Sequence, residues 1–149
     1  MSSLYVRDEI TTYLTSSSSE TFLDISGVYD EMQDFLSDNG VGPSDSWVGL
    51  QFIGDSEDPI TIDADGTKGR YRETGQVLIH VVAPVGFGVA PGIMARAEDL
   101  RNLLRGRRIG DIIIESVTPA NFGFGAALQF EGGYTAATFI CGYERDFDL

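Results

Sequence analysis

The sequence predicts an α+β domain: a mainly antiparallel β-sheet with an N-terminal helix and a central helix, about residues 91–105, packed on it. Three observations point to this. Residues 77–83, VLIHVVA, form an apolar run rich in β-branched residues, which suits a strand covered on both faces or nearly so. Behind it Ile93, Met94, Ala97, Leu100, Leu103 and Leu104 share one helical face, with Arg96, Glu98, Asp99, Arg101 and Arg105 mostly elsewhere. Toward the C-terminus, short apolar runs separated by glycine-rich turns read as further strands.

In chain order, residues 2–15 carry Val6, Ile10, Tyr13 and Leu14 at helical spacing, with Ser2 or Ser3 as cap and Asp8 and Glu9 near the positive end of the dipole. The polar run TSSSSET then breaks the pattern. In residues 22–40, FLDIS has the pattern of a short strand and VYDEMQDFLSDNG that of a helix stopped by Gly40. WVGLQFI, residues 47–53, alternates as a strand. Residues 54–70 read as an exposed loop, acidic at first and basic at its end, with Ile60 and Ile62 marking a brief extended piece. The strand over 77–83 stops at Pro84, and Gly86, Gly88 and Gly92 permit a sharp crossover. Pro91 suits the first helical position, and Gly106 suits a left-handed C-cap. Residues 111–117, DIIIESV, are another strand. Residues 126–130 and 134–143 form two more, joined at Gly132-Gly133 as a tight hairpin. The tail YERDFDL is polar enough to be free or to pair with a neighbour.

At 149 residues with 42% hydrophobic content, the chain is expected to be one domain with a real core. It has no run of membrane-spanning length and no signal-peptide pattern at its start. Cys141 stands alone, so no internal disulfide forms, a reducing compartment is expected, and its apolar strand suits a small buried residue. The charge is lopsided. Residues 1–67 contain fourteen acids against Arg7 alone, so they supply the whole net charge of −13, while the rest of the chain is balanced. Such a surface disfavours binding DNA through its phosphates.

A search for chemistry yields little. His80, within the apolar strand and without a neighbouring ligand or acid, reads as a packing or inter-subunit residue rather than a base. Asp63-Ala64-Asp65-Gly66 opens like a calcium loop. Lys68 and Thr74, however, stand where an EF-hand needs glycine and glutamate, so an Asp-Gly turn is the better reading. Gly86-Phe87-Gly88 precedes a helix but completes neither phosphate-binding fingerprint. No catalytic set, metal site or cofactor site emerges, and the chain is not expected to be an enzyme.

The order of features resembles the tail terminator, or tail-completion, proteins of long-tailed bacteriophages. The residues that carry the resemblance are the strand over 47–53, the variable segment after it, and Arg72-Glu73-Thr74-Gly75 leading into VLIHVVAP. After these come the Gly86/Gly88 turn, the helix over 91–105, and closing strands that end in ICGYERDF. The resemblance implies a homohexameric ring on the head-proximal end of the tail tube. Such a ring stops tube growth and offers the joining surface for the head connector or stopper. It implies tail tube protein and connector as partners, passage of DNA through the lumen without specific binding, no cofactor, and assembly in the host cytoplasm followed by residence in the virion. Part of the acidic excess of residues 1–67 is then expected to line the lumen and repel phosphates. The interface candidates are Arg70, Arg72 and Glu73 beside the segment 54–70, and Arg101, Arg105, Arg107 and Arg108 at the end of the central helix.

Three rival readings stand beside this one. Another phage neck or tail-tube ring protein would share the patterning, although a tube subunit needs a long β-hairpin sheet and the helix content tells against it. A small-molecule-binding domain or enzyme would use a pocket near Gly86–Gly88. A generic acidic interaction domain would need neither.

Overall fold

Apolar alternation in three long strands sets the architecture, and the ends of those strands depart from it. The computed structural model describes residues 3–27, 32–42, 44–62, 69–84, 89–122 and 134–148. The elements run α1 (Leu4–Ser17), β1 (Phe22–Asp24), α2 (Met32–Asp38), β2 (Trp47–Ile62), β3 (Gly69–Pro84), α3 (Val89–Leu104), β4 (Arg108–Ile109), β5 (Ile112–Val117) and β6 (Tyr134–Asp148). The strands form a six-stranded sheet in the order β1-β2-β3-β6-β5-β4. Every pairing is antiparallel except β1 with β2, so the fold is the expected α+β sheet with helices on it.

Alternation gives each long strand two apolar faces in the half next to the helices. On the front face Val48, Leu50, Phe52, Val77, Ile79, Val81, Ala137, Phe139 and Cys141 are buried against α1 and α3. The helix α1 contributes Val6, Ile10 and Leu14, the predicted stripe, and α3 contributes Ile93, Ala97, Leu100 and Leu104. Each of the valines, isoleucines and leucines among these gains roughly 1.5–3 kcal/mol on leaving water. On the back face Trp47, Val82 and Ala136 pack with Ile25, Met32, Leu36 and Val41, so β1, α2 and the segment after α2 cover that side. Residues 22–40 therefore supply both the strand and the helix that their patterns suggested.

Polar ties fix the helices. The Tyr13 hydroxyl donates to the Leu103 carbonyl at 2.8 Å, joining α1 to α3. Arg96 on α3 holds Glu20 through two bonds of 2.7 Å, and Arg7 on α1 holds Asp24 of β1 at 2.6 Å. The helix α3 starts at Val89, so Pro91 sits on its third residue rather than its first, still within the turn whose N–H groups have no helical partner. Gly106 takes a φ of 64° just past the helix end, as a left-handed cap requires.

One sequence expectation is corrected. Residues 54–70 are not a loop at their ends: β2 continues to Ile62 and β3 begins at Gly69, paired register by register. Bulges between Gly54 and Ser56 and between Pro59 and Thr61 break the alternation, and charges fall on both faces, so the period-2 signal is lost although the ladder persists. Of the two courses open to the C-terminal tail, free or paired with a neighbour, it takes the second. Glu144 to Asp148 continue β6 and pair with Thr74 to Arg70 of β3. The expected strand over 126–130, the Gly132-Gly133 turn, Asp63–Gly66 and Gly86–Gly88 lie outside the described residues.

Candidate functional site: a three-stranded arm and a basic corner

Toward their far ends β2, β3 and β6 form an arm made of residues 54–62, 69–75 and 143–148, whose root, Tyr143 to Arg145, is still paired with Ile114 to Ile112 of β5. Gly75 marks its root. It lies opposite Gly54 and Tyr143, and a Cβ there would come within 2.5 Å of the Tyr143 hydroxyl and 2.6 Å of the Ile53 carbonyl. Only glycine lets the fully buried Tyr143 ring cross the strand at this point. The Gly75 in the Arg-Glu-Thr-Gly run is thus explained by packing.

The arm's two faces are held by different chemistry. On the α1 side the Glu73 carboxylate is 5% exposed, and a carboxylate so buried costs several kcal/mol unless its oxygens are bonded. It accepts the Ser3 backbone N–H at 2.9 Å and the Ser3 hydroxyl at 2.8 Å, with the Arg145 guanidinium at 3.4 Å. Ser3 in turn caps α1 by accepting from the Val6 amide, so one residue ties the helix start to the arm. Arg145 is layered between the Tyr5 ring, 4.0 Å from its centroid, and the Phe147 ring at 4.4 Å. On the opposite face Arg72 makes a two-bond pair with Asp146, at 2.8 and 3.0 Å, and lies 3.7 Å from Glu144. Its bond to Asp146 raises the guanidinium's pKa and holds the Asp146 carboxyl below the usual range. Glu115 is shifted the other way, raised by its hydrogen bond with Glu144.

The outer side of β2 is open along the arm. The strand β1 pairs only with Val48, Gly49 and Leu50, and the Phe52 amide is taken by the Ser26 hydroxyl. From Ile53 onward no described strand lies outside β2. This edge carries Asp55, Glu57 and Asp58, all exposed and none in an ion pair among the described residues, with Ile53 and Ile60 more than 40% exposed on either side. Pro59 and the charges are the usual protection of a sheet edge against indiscriminate pairing.

The seven interface candidates separate into groups. Arg70 is exposed and Arg72 half-buried on the arm, and Arg70 stands 4.0 Å from Asp146. Glu73, placed beside them by sequence, turns inward because β3 alternation points it at α1. Arg101 is also spent internally, donating to the Thr118 carbonyl at 2.8 Å and pairing with Glu98. Arg105, Arg107 and Arg108 form an exposed basic corner where α3 meets β4. Arg105 shares Glu98 at 3.5 Å, Arg107 lies 6.0 Å over the Tyr13 ring, and Arg108 donates to the Gly110 carbonyl. The sequence pointed to Ser2 or Ser3 as the cap of α1, and Ser3 fills that place, but it carried no signal for the bonds of Ser3 to Glu73 or for Arg145. Their roles depend on a register that brings chain positions far apart together.

His80 belongs to the back of the sheet, as alternation implied. The Gln51 side-chain carbonyl can only accept, so Nε2 donates to it at 3.1 Å and Nδ1 accepts the Thr138 hydroxyl at 2.6 Å. Burial pushes its pKa down to about 4, so it is neutral and fully engaged at neutral pH. Burial likewise pushes the Cys141 thiol up to about 12, which fits an inert packing residue. Among the described residues no group of three or more His, Cys, Asp or Glu is placed to hold a metal ion, and no helix is long and apolar enough to cross a membrane.

No family model matches the chain, and no curated protein matches it. Among solved structures, one aligns over 99% of this chain and 97% of its own length with a TM-score of 0.52 at 15% sequence identity. At that identity the likeness concerns the fold, which recurs over the whole length of both chains.

Proposed function

We propose that this chain is a structural subunit of a phage tail. In this reading copies of it form a ring on the head-proximal end of the tail tube, end tube growth and present the joining surface for the head connector. The observation that carries the reading is the arm. A large part of the three longest strands reaches past the two helices and carries charged side chains on both faces, and its outer edge is open. Those on the α1 side are engaged internally, and those on the other face are half-exposed. That construction suits contacts with other protein subunits better than enclosure of a small substrate. The sequence resemblance supplies the ring and the tail, and the sheet edge supplies a heterologous surface of the kind a ring needs. Exposed acids outside the arm, Asp34, Asp38 and Asp45, are available to line a lumen that repels DNA phosphates. A ring with those acids on its outer rim would sink that assignment.

The deciding experiment is to image tails assembled without this protein. Overlong tubes, or tails that never join heads, are the expected outcome. Tails of normal length joined to heads would overturn the reading.

One observation favours a second reading, a tail-tube subunit. The β2–β3 hairpin is long, 16 residues in each strand, and removes part of the objection that helix content raised. Incubating the purified chain with tube ends separates the two. A terminator adds one ring and stops, whereas a tube subunit extends the tube.

A further inference from the structure

We infer that the acidic outer edge of β2 is a docking surface for a second copy of this chain, and that it seats against the partner copy's basic corner around Arg107 and Arg108. The inference rests on the ring reading above and assigns the surfaces that close the ring.

Four features lead to it. Asp55, Glu57 and Asp58 fall within four residues of one open edge, and none has an ion-pair partner among the described residues. Arg107 and Arg108 have only carbonyl and ring contacts and no acidic partner there. Both patches carry apolar surface next to the charge. Ile53 and Ile60 flank the acids, and Ile113, paired directly with Arg108, is 40% exposed. Finally, the patches lie toward opposite edges of one sheet, β2 on one side and β4 on the other, separated by β3, β6 and β5. They are complementary, yet the sheet holds them apart within a single chain.

Two complementary patches at opposite ends of a rigid sheet make a head-to-tail contact, which propagates until it closes. An open strand edge adds main-chain donors and acceptors to such a contact, while the charges set its register and exclude wrong partners. A DNA or membrane partner would account for the basic corner but would leave the acidic edge unmatched.

The test is the size of the full chain in solution, by sedimentation velocity, for three proteins. These are the parent, an edge reversal (Glu57→Lys with Asp58→Lys) and a corner reversal (Arg107→Glu with Arg108→Glu). The parent is expected to associate, more weakly as salt rises. Each reversal alone is expected to raise the dissociation constant by about tenfold or more. Mixing the two reversed proteins is expected to restore association, because each reversed surface then meets its complement. Circular dichroism checks the fold. If the double corner variant unfolds, Arg108→Glu against Asp58→Lys repeats the design with one exposed residue on each side.

Reversed variants that associate like the parent, a mixture that does not recover, or a parent that stays monomeric at low salt would each overturn the docking assignment. The tail reading falls separately, on tube length and head joining in tails made without the protein.

Discussion

The two halves of the β2–β3–β6 sheet share the same strands and hydrogen-bond ladder but are stabilised in opposite ways. In the half next to the helices, alternate residues are valine, isoleucine, leucine and phenylalanine, and both faces are covered. In the arm, the same positions carry arginine, aspartate and glutamate, held by the Glu73–Arg145 cluster on one face and the Arg72–Asp146 pair on the other. Burial in the first half stabilises the domain. The polar groups in the second orient a surface. The Arg72–Asp146 pair, open to water, adds little to overall stability, while the buried Glu73 carboxylate depends on its bonds to Ser3 and Arg145.

That contrast can be broken most severely in the core. Phe139→Ala removes a fully buried ring from the centre of β6 and is expected to cost about 3–5 kcal/mol, lowering the midpoint of denaturant unfolding with the whole domain melting together. Next in size is an effect of pH. His80 has a folded pKa near 4, below its unfolded value, so the unfolded chain takes up its proton first as pH falls. Stability from this residue is complete above about pH 6.5 and is lost as pH drops toward 4, amounting to about 3 kcal/mol. His80→Asn should flatten the stability profile in that window, and an unchanged slope would assign the effect to other groups. A smaller effect separates the halves directly. Glu73→Gln weakens the bonds to Ser3 and Arg145 at a cost of about 1–2 kcal/mol. Amide exchange should quicken at residues 70–74 while residues 77–82 keep their protection. Uniform acceleration would mean that arm and core open as one unit. Last, Asp58→Asn on the open edge should change stability by less than about 0.5 kcal/mol, as read by thermal melting.

The core half was legible because burial writes a periodic pattern into the sequence. Val6, Ile10 and Leu14, the run over 77–83 and the stripe on α3 all gave their elements correctly. The arm was not legible, because its strands are held by neighbours rather than by their own pattern. Gly54, Pro59 and the acids of 55–58 read as loop when taken alone, and only pairing with 69–75 makes them strand. Glu73 stands beside Arg70 and Arg72 in sequence, but the parity of β3 sends it to the opposite face. Arg145 gave no local signal, since what distinguishes it is the pair of rings from Tyr5 and Phe147 that close around it.

The continuity of the three strands through Gly75 has a mechanical consequence. The β3–β6 ladder runs from body to arm without a register break, so a push on the arm is carried as leverage along these strands into the packing of α1 and α3. Ser3, bonded to both the helix start and Glu73, stands as a brace across that lever. A partner that grips the arm therefore also loads the body of the domain.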